Sequence, residues 1–352
     1  MSANNSLFVK YRPQKFSEVV EQDAIKQILM HEIQTNNIKR CLLFTGGAGT
    51  GKTTTARIYA NEIEPCKSNI IEINCADHTG VDDIRQLVIE PSRQKPLQGK
   101  YKVFILDENH MLTVQAQSAL LKILEEPPSY CIYIMCTTDP QKVLPTILSR
   151  TFRYDFQLIS YQGIVDRLNY ILTTEKSLPN NCGIQSWDMD SLNYIALQSR
   201  GHLRDAITTL QKVVSFDGNI TVNSVEKVLG VTSFEILFNI LDCILSKNDQ
   251  LLIQQLDNLN KSGINLKLFV KNFLQFVLDV NKYLILKTET NNTSLDFTLI
   301  PASYVGRLVN YNVSHRPILK NLLRTLLQLN SSLRWETDVK PVLETNLLME
   351  VL

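Results

Sequence analysis

The sequence predicts an open α/β fold, a parallel sheet with helices on both faces, followed by an all-helical remainder. Three features carry this expectation. An apolar run, Cys41–Phe44, reads as a buried parallel strand, breaks into a glycine-rich turn, Gly46–Gly51, and gives way to a helix starting at Lys52. A second apolar run beginning at Tyr101 leads straight into two carboxylates, Asp107 and Glu108. Strand–helix alternation then stops near Ser160, and the remaining segments carry the 3.6-residue period of helices.

The spacing Gly46-x-x-x-x-Gly51-Lys52-Thr53 between a strand and a helix is the phosphate-binding P-loop pattern. Glycines let the backbone turn so that the amides of roughly Gly49 to Thr54 point at phosphate oxygens, and the helix adds its positive dipole end. Gly46, Gly47, Ala48, Gly49, Thr50, Gly51, Lys52, Thr53 and Thr54 are therefore the expected nucleotide-binding run. Lys52 is expected to reach the β- and γ-phosphates, and the Thr53 hydroxyl to ligate Mg²⁺. A chance match of this pattern is expected only about 0.01 times in a chain of this length.

Composition bounds the rest. At 352 residues, with 20% charged and 44% hydrophobic residues, the chain has room for two or three domains with sizeable cores. No apolar stretch reaches membrane-span length, and the start, MSANNSLFVKYRP, lacks a signal-peptide core. Seven cysteines form no CxxC; Cys41, Cys131 and Cys136 fall in apolar strand-like runs and read as buried thiols, which fits a reducing cytoplasm. A net charge of +1 confines any nucleic-acid contact to a local patch.

In chain order, Pro13 excludes a helix interior from the opening segment, and a helix is expected from about Asp23, as its cap, to Thr35. After the P-loop strand and helix come a strand at Asn69–Asn74 and a short helix at Val81–Leu87. The strand ending in Asp107-Glu108 is a Walker B arrangement, because strand C-termini form the ligand-facing edge of an open α/β sheet. Asp107 is expected to hold Mg²⁺, directly or through water, and Glu108 to polarise the attacking water. Two solvated acids after a buried strand is the bland alternative. A helix at Val114–Glu125 stops at Pro127-Pro128. A strand at Cys131–Thr137, a short helix at Leu144–Arg150 and a strand at Phe152–Phe156 complete the alternation. Helices then follow at Tyr161–Glu175, Asp188–Ser199, Leu203–Val214, Val222–Leu229, Phe234–Leu245, Gln250–Leu259 and Leu266–Leu286. Residues 288–298 form a polar break, and two helices starting on prolines, Pro317–Asn330 and Pro341–Leu352, close the chain.

These motifs, read together, resemble AAA+ clamp-loader ATPases, closest to the bacterial gamma/tau subunit of DNA polymerase III, with replication factor C small subunits more distant. The likeness spans nearly the whole chain: KYRPQKFSEVVEQ, GGAGTGKTT, ILDENHML, SALLKILEEPP, CTTDPQKVLPTILSRTFRYDF, GHLRDAITTLQK and VEKVLGV. It implies an α/β AAA+ P-loop domain (1–159), a helical lid (160–231) and an all-α collar for oligomerisation (232–352). It also implies an ATP- and Mg²⁺-using motor at subunit interfaces. Its partners would be other loader subunits in a pentamer, a sliding clamp and primer-template DNA, with no membrane, in a bacterial cytoplasm or a host's if phage-encoded.

The resemblance implies residue roles as well. Tyr11, Arg12 and Pro13 would line the adenine pocket, with Val19 and Val20 nearby. Thr138, or alternatively Thr137, would be sensor 1, and Arg204 would be sensor 2 on the lid. Arg150 would be the arginine finger, acting in trans on the neighbour's site, as a permanently charged fork suits phosphate oxygens. Salt bridges of Arg150 with Asp155 and of Arg204 with Asp205 are the plain alternatives. Thr79, Arg85 and Lys122 occupy the positions where the gamma family meets DNA phosphate, against a reading as solvated surface. Two departures stand out. Only Cys66 and Cys75 lie in the window of the family's four-cysteine zinc module, so no zinc is expected, and the family's Gly-Gln before the first helix is Glu21-Gln22 here, an expected change in the adenine pocket. The alternatives to a hydrolysing motor subunit are a non-hydrolysing scaffold subunit of the same loader, like delta-prime, and another AAA+ DNA motor such as a branch-migration helicase.

Overall fold

The computed structural model describes residues 6–178, 183–261, 264–289, 298, 300–333, 335–336 and 338–349. The chain divides into two compact units, Met1–Arg167 with Ser199–Thr208, and Leu168–Gln198 with Thr209–Leu352.

Five parallel strands build the first unit: β1 (Cys41–Gly46), β2 (Ile70–Asn74), β3 (Lys102–Asp107), β4 (Cys131–Thr137) and β5 (Phe152–Phe156), in the order β2-β3-β4-β1-β5. Alternate residues of each strand enter opposite cores, as a period of two requires. Leu42, Phe44, Val103, Ile105, Ile132 and Ile134 pack with Leu29, Ala56 and Tyr59 of the helices Asp23–Gln34 and Lys52–Ile63. Leu43, Phe104, Leu106, Tyr133 and Met135 pack on the other face with Ile84, Val88, Leu120 and Leu124. Both faces being covered explains why these strands read as continuous apolar runs. Cys41, Cys131 and Cys136 are buried within them.

The order of strands places β1 between β4 and β5, with β3 on the far side of β4. The turns that follow β1, β3 and β4 therefore open along one edge, which is where the site forms. β4 and the helix Val114–Glu125 have the bounds the sequence predicts, and the Thr113 side chain caps that helix by accepting from the Ala116 N–H at 3.2 Å.

Several elements differ from expectation. The first long helix starts at Asp23, but its cap is Gln22, in the left-handed region at φ +56°; Asp23 pairs instead with Lys26 at 2.7 Å. The helix at Val81 continues to Ser92 through a π turn at Arg85–Ile89. Pro91, which lacks an N–H, follows that wider turn and hides the continuation from a sequence reading. A two-stranded parallel ribbon, β6 (Ser186–Trp187) with β7 (Asn219–Ile220), was not expected at all.

Beyond β5 the long elements are helices: Tyr161–Lys176, Met189–Ser199, Leu203–Phe216, Val222–Leu229, Phe234–Leu245, Asp249–Lys261, Leu266–Glu289, Arg316–Ser332 and Val339–Met349. The last two begin one or two residues ahead of Pro317 and Pro341 rather than on them. Most of the polar break, residues 290–297, and the chain's last residues, 350–352, lie outside the described residues. In the second unit Phe238 stacks on Tyr304 and meets Phe276 edge-on, with ring centroids 5.6 and 4.7 Å apart. Leu319, Leu322, Leu326 and Leu329, spaced three and four apart, form the buried stripe of Arg316–Ser332. The helices Val222–Leu229 and Phe234–Leu245 meet at 88°, and buried Glu226 spans the turn by accepting from the Phe234 N–H at 2.9 Å. Among the described residues no single helix is long and apolar enough to cross a membrane.

Candidate nucleotide site

The P-loop leaves β1 at Gly46, whose φ of +140° and tight approach to the Phe156 carbonyl leave no room for a Cβ. Gly49, at φ +69°, packs against the backbone of Arg204, where an added Cβ would lie 3.0 Å from that residue's own Cβ. Lys52 is only 5% exposed and folds back to donate from Nζ to the carbonyls of Gly46 (2.8 Å) and Gly47 (2.7 Å). Burial lowers its pKa, and the negative charges of Glu108 and Asp107 act in the opposite direction. The Thr50 hydroxyl ties the loop further, donating to the Gly47 carbonyl at 2.9 Å.

Across the sheet edge, the Thr53 hydroxyl lies 2.9 and 3.0 Å from the two carboxylate oxygens of Asp107. Burial pushes the Asp107 pKa up, partly offset by the Thr53 hydrogen bond, while the neighbouring Glu108 charge pushes it further up. Glu108 itself adopts φ +50°, uncommon for a residue with a side chain and costing about 1 kcal/mol. That turn ends β3 and aims the carboxylate toward β4, where the Thr138 hydroxyl donates to Glu108 Oε2 at 3.1 Å. Thr137, fully buried, points elsewhere: its Oγ1 accepts from the Asp139 N–H at 3.1 Å and meets His110 Nδ1 at 3.1 Å. His110 Nδ1 also lies 3.3 Å from Glu108 Oε2.

The pocket above the loop is lined by Tyr11, Arg12, Pro13, Val19, Val20, Ala48–Thr54, Asp107, Glu108 and Arg204, so most of the expected binding residues converge. Gly46 and Gly47 are not among the lining residues; their carbonyls hold Lys52 instead. Sequence reasoning missed Phe8, Ile159, Arg167, Leu203 and Ile207, which line the same pocket. Two guanidinium groups lie over the Phe8 ring, Arg12 at 4.9 Å and Arg204 at 4.5 Å from its centroid. Arg167 donates to the Tyr11 carbonyl at 2.7 Å, and His202 Nδ1 meets the Ala48 carbonyl at 2.7 Å. Phe8, His202, Leu203 and Ile207 flank predicted residues within or beside quoted motifs, whereas Ile159 and Arg167 arrive from outside them. Glu21 and Gln22 do not line the pocket. Both have positive φ, and their side chains hold the backbone of Gln157 and Ser160 instead.

The residues present fit a magnesium nucleotide. The loop has glycines where a Cβ would collide or force strain, a buried lysine faces its own carbonyls, and a hydroxyl and a carboxylate converge as oxygen donors. Arg12 Nε, in the lining of the same pocket, is buried with no hydrogen-bond partner among the described residues.

Residues 67–160 match the family "DNA polymerase III, delta subunit", and residues 220–299 match "DNA polymerase III subunits gamma and tau domain III". The DNA polymerase III subunit gamma of Buchnera aphidicola is 30% identical over 327 residues, covering 86% of this chain and 86% of that protein. This chain belongs to the DNA polymerase III gamma/tau family. The tau subunit of Bacillus subtilis is 33% identical over 79% of the chain, and the gamma/tau subunit of Mycoplasma genitalium 34% identical over 83%. The chain spans about half the length of these two relatives, 52% and 51%. A Thermotoga maritima RuvB variant aligns at a TM-score of 0.50 and 19% identity over 75% of this chain and 90% of that one, a likeness of AAA+ fold alone.

Arg150, Thr79, Arg85 and Lys122 are not among the residues lining the pocket. Arg150 is paired with Glu125 through Nε (3.0 Å) and Nη2, and donates to the Thr146 carbonyl at 2.8 Å. The alternative partner, Asp155, pairs with Arg153 at 2.7 Å and accepts from Thr45. Arg204 stacks on Phe8 rather than pairing with Asp205. Thr79 borders the helix Val114–Glu125 through its carbonyl, which accepts from the Thr113 N–H at 3.1 Å. Arg85 is exposed, 3.2 Å from exposed Asp82, and Lys122 is exposed on the helix Val114–Glu125. Cys66 is half-buried beside Ser68, whereas Cys75 is buried.

Proposed function

We propose that the chain is an ATP-hydrolysing motor subunit of a sliding-clamp loader. The observation that carries this is the convergence of Lys52, Thr53, Asp107, Glu108 and Arg204 on one pocket in a chain of the gamma/tau family. Family membership favours a loader over a branch-migration motor. Retention of both the P-loop lysine and the acidic pair favours a hydrolysing subunit over a scaffold.

Tyr11, Arg12, Pro13 and Val20 hold the base, and the loop amides from Gly46 to Thr54 hold the phosphates. Lys52 exchanges the carbonyls of Gly46 and Gly47 for phosphate oxygens. Mg²⁺, held by Thr53 and Asp107, would supply charge that neutralises the phosphate oxygens. Glu108 orients and deprotonates water, steadied by Thr138, while Arg204 links the lid to the phosphates.

Arg150 completes a neighbour's site in trans. Its present pair with Glu125 is partly exposed, with side chains 32% and 50% accessible. Such pairs contribute about 0–1 kcal/mol, so a neighbour's phosphate can take the guanidinium at little cost. Other loader subunits in a pentamer, a sliding clamp and primer-template DNA are the partners in this scheme. Thr79, Arg85 and Lys122 track the DNA backbone, and no zinc is required. We assign residues 1–159 to the nucleotide domain, 160–231 to the lid and 232–352 to the collar, working in the cytoplasm.

Clamp-loading and nucleotide-binding assays of the assembled loader test the proposal. Lys52→Ala is expected to lose both nucleotide binding and loading. Arg150→Ala is expected to bind nucleotide normally and fail to load. Normal loading by Arg150→Ala would remove the trans role, and ATPase activity unaffected by Glu108→Gln would return the scaffold alternative.

A further inference from the structure

We propose that His110 is a positioning residue for Glu108: its Nδ1–H and the Thr138 hydroxyl tether one carboxylate oxygen, leaving the other to face water. This deepens the hydrolytic role proposed above and rests on it. The left-handed backbone of Glu108 turns the chain into the short helical turn Asn109–Met111, which folds the imidazole back over the end of β4. The side chain of His110 is 10% accessible there. Its Nδ1 lies 3.3 Å from Glu108 Oε2 and 3.1 Å from Thr137 Oγ1.

An ionised carboxylate only accepts hydrogen bonds, whereas a hydroxyl can serve either tautomer of a neighbouring imidazole. Thr137 Oγ1 already accepts from the Asp139 N–H and keeps both a proton and a lone pair for His110. Glu108 therefore decides the tautomer, and only Nδ1–H satisfies it. Thr138 donates to Oε2 at 3.1 Å, and an Nδ1–H shared with Thr137 Oγ1 faces the same oxygen at 3.3 Å, while no described residue hydrogen-bonds Oε1. A base acts by geometry first, and a tethered carboxylate cannot rotate away from the water it must deprotonate. Thr137 and Thr138 thereby divide the work at the β4 edge: one holds the base, the other holds the residue that holds the base.

Two measurements test this. Long-range ¹H–¹⁵N correlation of the nucleotide-free chain reports each imidazole's tautomer, and with five histidines in the sequence the signals lost in His110→Asn assign this one. The Nδ1–H form is expected in the wild type, shifting toward Nε2–H in Glu108→Ala. In steady-state hydrolysis by the assembled loader, His110→Leu is expected to lower kcat about 10- to 100-fold while nucleotide affinity stays within about twofold. His110→Asn, which puts an amide N–H near the Nδ1 position, is expected to recover most of that rate. An Nε2–H wild-type imidazole, wild-type turnover by His110→Leu, or equal loss in the Leu and Asn variants overturns the proposal. A wild-type chain with Nδ1–H at His110 that hydrolyses no ATP supports the tether and refutes the hydrolytic role instead.

Discussion

Glu226 offers a quantitative test of how the helix corner at 230–233 is held. Its carboxyl is 4% exposed, accepts from the Phe234 N–H and lies near the Glu235 charge. Burial pushes its pKa from an ordinary 4.5 up to about 7, the Phe234 hydrogen bond opposing and Glu235 adding to the rise. The folded chain thus holds this proton more tightly than the unfolded one. Stability from this group is complete below about pH 4.5 and falls as pH rises to about 7. At about 1.4 kcal/mol per pH unit the gap amounts to about 3 kcal/mol, most of it between pH 5 and pH 9. Glu226→Gln keeps an acceptor for Phe234 and cannot ionise. Both tryptophans, Trp187 and Trp335, belong to the second unit, so urea unfolding followed by tryptophan fluorescence reports on it. The stability difference, variant minus wild type, should grow by about 3 kcal/mol from pH 5 to pH 9. Parallel pH profiles for the two proteins would mean the carboxyl titrates as an exposed one, and the reasoning from burial would be wrong.

Two further outcomes follow from the pocket. Gly49→Ala places a Cβ at φ +69° against Arg204; a stability loss of about 1–2 kcal/mol and loss of nucleotide binding are expected, read by thermal unfolding and fluorescent-nucleotide titration. Unchanged affinity would show that the loop relaxes around the methyl group. Phe8→Leu removes the ring beneath both Arg12 and Arg204 and should weaken nucleotide binding about tenfold, with little change in unfolding midpoint; an unchanged Kd would count against the two arginines needing the ring.

Much of the first unit was legible in the sequence because its signals are local. Strand, glycine turn and helix are contiguous at 41–63, and the acids of β3 follow their strand directly, so backbone geometry alone carries Asp107 to Thr53. The position of Thr137 and Thr138 at the end of β4 was legible for the same reason, but not their different partners, His110 and Glu108, which depend on the backbone reversal at Glu108. Ile159 and Arg167 escaped because long-range packing, not spacing, brings them to the pocket, whereas Phe8 and Ile207 lie one helical turn from predicted residues and read as ordinary apolar positions. Glu21-Gln22 looked like a change in the pocket wall. It is instead a pair of left-handed residues whose side chains bind residues more than a hundred positions away. The partner of Arg150 could not be read either, since Glu125 and Asp155 are equally plausible on charge and only the fold brings Glu125 within reach.

The grip of Lys52 on the Gly46 and Gly47 carbonyls has a kinetic corollary. Those oxygens stand in for phosphate, so an arriving ligand displaces an internal mimic rather than filling a gap. Each charge-assisted hydrogen bond given up is worth about 1.5–3 kcal/mol, which subtracts from the apparent affinity. The same two bonds re-form as a ligand departs, catching the ammonium before it is stranded unsolvated. A loop with a built-in competitor trades tightness for rapid exchange, which would suit the motor proposed above.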